Sequence, residues 1–124
     1  MSDDGTSKQA EAVARHLQHA QVQMFQADLA QGPDKADLIT AAKDALICAE
    51  RLQPGSGAWQ FACISASTGN GKLCRQWLER ARKYGNLPGP DILDSAPQLA
   101  KVRGQKWFRR LIKDLAAAPQ DENR

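Results

Sequence analysis

The chain has 124 residues, 42% apolar, 25% charged and 6% aromatic, and its 17 basic and 14 acidic side chains leave a net charge of +3. One domain of this length buries roughly two-thirds of its extended surface, and the charge is too mild by itself to argue for nucleic acid. Cys48, Cys63 and Cys74 are odd in number and lack CxxC spacing, which argues against a disulfide framework and a zinc site. The polar start MSDDGTSKQA has no apolar signal core, and no run approaches the roughly 18 apolar residues of a membrane span. A reducing cytoplasm is the expected setting.

Taken in chain order, a single domain is expected over residues 7–117, with residues 1–6 and 118–124 as disordered flanks. Thr6 with Gln9 is spaced as a capping box, with Ser7 as an alternative cap. Ala10, Val13, Leu17, Ala20, Met24 and Ala27 then recur every three or four residues as one apolar stripe, and Glu11 and Arg15 are spaced for an outer-face pair. Gly32-Pro33 is expected to end this helix, and Asp34 to cap a second one. The second stripe runs Leu38, Ala41, Ala42, Ala45, Leu46, Ala49 and Leu52, and stops at Pro54-Gly55-Ser56-Gly57.

A third helix follows over about 58–68, with Trp59, Ala62, Cys63 and Ala66 inward. The fourth carries Leu73, Cys74, Trp77, Leu78, Ala81 and Tyr84 inward, Glu79 and Lys83 set to pair outside, and Gly85 as its C-terminal cap. After a loop over 86–90, Ser95-Ala96-Pro97-Gln98 reads as a capping box opening a short helix with Leu99 and Val102 that ends at Gly104. The last helix holds Trp107, Phe108, Leu111, Ile112 and Leu115. No alternating pattern marks a strand, so the expected fold class is all-α.

Paired helices raise the question of a repeat. Ala42-x3-Leu46-x2-Ala49-x4-Pro54 and Cys74-x3-Leu78-x2-Ala81-x4-Asn86 share a pattern, and Trp59-x2-Ala62-Cys63-x2-Ala66 precedes the second. This resembles the tetratricopeptide repeat, with Trp59 in the Trp place, Ala62 and Cys63 in the Leu-Gly place, Ala66 in the Tyr place and Pro54 closing the preceding unit. Cysteines and Ala66 depart from the usual residues, and Asn86 stands where proline is usual. The run ILDSAPQLAKVRGQKWFRRL is similar to the closing segment of bacterial tetratricopeptide proteins, through Asp94 or Ser95 with Leu99, Val102, Arg103, Phe108 and Leu111. The resemblance covers roughly residues 35 to 112 and implies a short right-handed α-α superhelix of helical hairpins with C-terminal capping helices. Small side chains at Cys63, Cys74 and Ala81 fit the close helix crossing that it implies.

Candidate chemistry is sparse. Gly69-Asn70-Gly71-Lys72 ends like a phosphate loop, but Ala66 occupies the first glycine position, Leu73 the hydroxyl position, and the upstream element reads as helix. A turn between antiparallel helices explains the glycines better. His16 and His19 are the only histidines, with no further ligand type on their face to complete a metal site. Asp91 and Asp94 are spaced as a carboxylate pair, yet each sits where acid favours a helix start. Cys63 and Cys74 are expected to approach one another as small apolar fillers. No catalytic, cofactor or metal site is expected.

The expected function is therefore protein–protein recognition, non-enzymatic and free of cofactor, with a peptide or partner helix held in the concave groove that the resemblance implies. Its geometry places Gln60, Ile64 and Ser67 in that groove, with Ile64 as an exposed apolar anchor and Gln23 and Gln26 bordering the same surface. The alternative is electrostatic. Lys101, Arg103, Lys106, Arg109, Arg110 and Lys113 form the densest basic cluster and would steer an acidic partner, or less readily nucleic acid. Self-association is open as well, and no membrane partner is expected.

Overall fold

The computed structural model describes residues 3–117, with side chains from residue 7 onward, and every regular element among them is helical. Residues 1–2 and 118–124 of the expected disordered flanks lie outside the described residues, whereas residues 3–6 are helical, because α1 begins at Asp3 (Asp3–Leu29) and so passes through the capping box expected at Thr6 and Gln9. α2 (Gly32–Leu52) folds back along α1, and the Gln9 amide at one end of α1 donates to the Leu52 carbonyl at the far end of α2. Gly32-Pro33 opens α2 instead of separating the helices. Gln31 takes the N-cap position without a side-chain bond, and Pro33 sits in the first turn, where a missing N–H goes unnoticed. Asp34 is thereby inside the first turn, near the positive end of the helix, and is not the cap.

α3 (Ala58–Ser67) and α4 (Gly71–Lys83) form the second antiparallel pair. The Gly69-Asn70-Gly71 stretch is their turn. Gly69 has φ +87°, the Asn70 N–H reaches back to the Ser65 carbonyl at 2.8 Å, and the Asn70 Oδ1 accepts from the Leu73 N–H at 3.1 Å. One residue pair thus closes α3 and caps α4, with helix on both sides and no strand leading in. α4 ends with Gly85 at φ +76° and the Asn86 N–H on the Ala81 carbonyl at 2.7 Å, as its sequence predicts.

The C-terminal third departs from expectation. A helix, α5 (Pro90–Ser95), begins inside the expected loop, because Gly89 supplies an extended N-cap and Pro90 starts the first turn. Ser95 closes α5, donating back to the Asp91 carbonyl at 2.9 Å, and so is no capping-box residue. A 3-10 turn (Pro97–Leu99) and further turns then lead to α6 (Lys106–Ala117). Tyr84 is also placed differently: it is exposed, covers the Gly55 backbone and carries the Arg80 guanidinium over its ring at 5.0 Å. Glu79 pairs with Arg75 at 3.3 Å, not with Lys83.

Two apolar clusters hold these elements. One joins Ala20 of α1 and Ala42, Ala45 and Leu46 of α2 to Phe61 and Ile64 of α3. The other joins Ala62, Cys63 and Ala66 of α3 and Cys74 and Leu78 of α4 to Leu93, Leu99, Val102 and Phe108. Trp77 packs against both and stacks on Phe61, with ring centroids 4.4 Å apart. α3 is therefore buried on two faces. Cys63 and Cys74 meet in the second cluster, whereas Ala81 is buried two turns further along α4, outside that cluster.

The joint between the two pairs is polar. Glu50, near the end of α2 and only 7% exposed, accepts from the N–H groups of Gly55 at 3.0 Å and Gly57 at 2.8 Å, and its Oε1 takes the Arg80 Nε–H at 2.6 Å. Asn86 donates its side-chain amide to the Gly55 carbonyl at 2.7 Å. Gly55, at φ +89°, admits no Cβ because one would collide with Tyr84. One carboxylate thus satisfies a tight loop and bolts α2 to α4.

Candidate functional site

The arrangement leaves a groove of about 550 Å³ whose floor is α3. Trp59, Gln60, Cys63, Ile64 and Ser67 form that floor, Gln21, Met24, Phe25 and Asp28 of α1 form one wall, and Pro97 and Gln98 form the other. The walls follow from the packing. α1 meets α3 through the Ala20–Phe61–Ile64 cluster, and the 3-10 turn meets α3 through Leu99, so each stands proud of the α3 surface between them. A cleft of this size, mostly apolar with three amides, one hydroxyl and the Asp28 carboxylate, is suited to an apolar side chain or short segment fixed by a few hydrogen bonds.

The structure brings Gln60, Ile64 and Ser67 together on this surface, as expected, but it changes the role of Ile64. That residue is 3% exposed and packed in the α1–α2–α3 cluster, so it is part of the floor and no anchor. An exposed apolar side chain stands instead on α1. Phe25 is 67% exposed and lines the groove, and it continues into Val22 and Leu29, 46% and 75% exposed, along the rim. The glutamine in the α1 wall is Gln21, whereas Gln23 and Gln26 do not line the groove. Val22, Phe25 and Leu29 are spaced three and four apart, a second apolar stripe beside the inward one, and that spacing was the sequence signal for this rim.

The basic set divides. Lys101 donates to the Ser67 carbonyl at 2.9 Å, Arg103 donates to the Ala96 carbonyl, and Arg109 grips Asp94 through both carboxylate oxygens at 2.6 and 3.4 Å. These three tie the C-terminal segment to itself and to α3. Arg109 holds the Asp94 carboxyl below the usual aspartate range, first by its hydrogen bond and then by its charge, while the Asp94 carboxylate raises Arg109. Lys106, Arg110 and Lys113 are exposed on α6 and form no ion pair among the described residues.

Cys63 is the thiol in the groove. Burial, with a smaller contribution from Cys74, pushes its thiol up to about 12, and burial pushes Cys74 up to about 11, so both stay protonated near neutrality. All three cysteines are free. His16 is half-buried and His19 exposed, and among the described residues no three His, Cys, Asp or Glu side chains gather as a metal site. No helix among them is long and apolar enough to cross a membrane.

Fold and groove together define an all-α chain with a largely apolar groove on its surface. No protein-family model matches it, and no solved structure does. Acetyl-coenzyme A synthetase 1 of Pseudomonas aeruginosa is 30% identical to it over 69 residues, which are 54% of this chain and 11% of that protein. The chain spans about a tenth of that relative's length.

Proposed function

We propose that the chain is a non-enzymatic recognition module whose groove holds an apolar segment of a peptide or partner helix. The carrying observation is the exposed Phe25 set against Met24, Trp59 and the Ile64 floor, because a bare aromatic at the mouth of an apolar cleft gains most from a partner that covers it. Gln60, Ser67 and Gln98 supply orientation. The only thiol there, Cys63, is protonated and so a poor nucleophile, which favours binding over chemistry. We read the two antiparallel pairs and the α5–α6 segment as a short right-handed superhelix of tetratricopeptide-like hairpins with a cap. Three free cysteines fit a reducing cytoplasm.

The test is selection from a displayed library of short peptides, followed by affinity measurement with Phe25→Asp. Enrichment of apolar sequences that lose at least about tenfold in affinity on that substitution supports the groove. Equal binding by both proteins contradicts it. The electrostatic alternative is favoured by one observation, the exposed Lys106, Arg110 and Lys113 on α6, which form no ion pair among the described residues. It calls for affinity that falls steeply with salt and with Arg110→Glu, whereas groove binding changes little with either.

A further inference from the structure

We infer that, without another partner, the groove and its α1 rim are covered by a second copy of this chain in a two-fold pairing. The pairing deepens the groove's proposed binding role and rests on it.

A two-fold contact uses the same patch twice, so a patch must carry both a projection and a recess. This one does. The ridge of Val22, Phe25 and Leu29 stands directly beside the groove, and Phe25 belongs to both. The ridge is symmetric in the required sense. Two α1 helices running antiparallel and centred near Phe25 set Val22 of each copy against Leu29 of the other, with the two Phe25 rings over the two grooves. Charge permits it too. Residues 20–31 read AQVQMFQADLAQ and contain a single charge, Asp28, in a chain that is 25% charged, and depletion of charge marks the centre of protein interfaces.

Area sets the strength. Exposures of 46%, 67% and 75% leave on the order of 300 Å² of bare ridge per copy, at the low end of the largest apolar patches of monomers. Two ridges and two groove linings bring the contact to about 1,000 Å², the lower limit for a specific interface. A contact at that limit belongs with the weak, transient interfaces, so the pairing is reversible, with a dissociation constant on the order of micromolar, and a peptide that takes the groove must break it. Self-pairing thereby holds the apolar surface covered until a better-fitting segment displaces the second copy.

Sedimentation velocity on the full chain from about 1 to about 200 µM spans the expected midpoint. The mass rises from the 13.6 kDa protomer to twice that value with concentration, and Phe25→Asp and Leu29→Asp remain protomeric with unchanged circular dichroism. A wild-type chain that stays at protomer mass throughout overturns the pairing, as does a dimer that survives both substitutions. If it stays protomeric while Phe25→Asp still loses selected peptides, only the pairing fails and the groove stands. A dimer lost on Phe25→Asp in a chain that selects no peptide supports the pairing and narrows the groove's binding role to a second copy of this chain.

Discussion

Glu50→Ala is the sharpest perturbation of the scaffold that presents the groove. Glu50 is 7% exposed and accepts three hydrogen bonds, from the buried Gly55 and Gly57 amides and from Arg80. Truncation leaves both amides without their acceptor, at about 1–3 kcal/mol each. Arg80 is 38% exposed on its side chain and returns partly to water, so its lost pair adds less than a fully buried one would. The sum is about 3 kcal/mol, which for a domain of this size lowers the melting temperature by roughly 10 °C. Glu50→Gln retains one acceptor oxygen and loses about half as much. Thermal denaturation followed by circular dichroism at neutral pH measures both. If Glu50→Ala melts within about 2 °C of wild type, the α2–α4 bolt is not what holds the joint.

Ile64→Asp should cost more than about 3 kcal/mol, because it buries an unpaired carboxylate among Ala20, Leu46 and Phe61, whereas half-exposed Gln60→Ala should stay within about 0.5 kcal/mol; chemical denaturation separates the two. Asp94 should titrate below the ordinary aspartate value by NMR, and Arg109→Ala should return it there. Since its folded pKa is depressed, the contact with Arg109 is present at neutral pH and is lost as pH falls through that depressed value. Thiol labelling of the native protein at mildly alkaline pH should modify half-buried Cys48 well before Cys63 and Cys74, whose burial keeps them protonated; equal rates at all three would contradict the shared Cys63–Cys74 core.

Much of the scaffold was legible because helical periodicity is local. The stripes through Val13, Ala20 and Ala27, and through Ala42, Leu46 and Ala49, are buried as their spacing predicts, and Gly69 and Gly85 turn where expected. Boundaries misled where one residue type serves two ends: Gly32-Pro33 opens a helix as readily as it closes one, and Ser95 hydrogen-bonds backwards as readily as forwards. Ile64 was misjudged for a tertiary reason. A helix sandwiched between two neighbours is buried on two faces, and a one-stripe reading leaves its second face, Phe61, Ile64 and Ser65, outside. Glu50 gave no sequence signal at all, since its partners are loop amides and an arginine 30 residues away. The exposed Phe25 was visible in the second stripe of the first helix, but assigning it outward required knowing which stripe α2 covers.

Chemical-shift mapping of a selected apolar peptide titrated into the isotopically labelled chain tests the binding surface most directly. Occupancy of the groove predicts perturbations confined to the second half of α1, to Trp59, Gln60, Cys63 and Ser67, and to Gln98, and little change on α6. Perturbations centred on Lys106, Arg110 and Lys113 and erased by salt would contradict it.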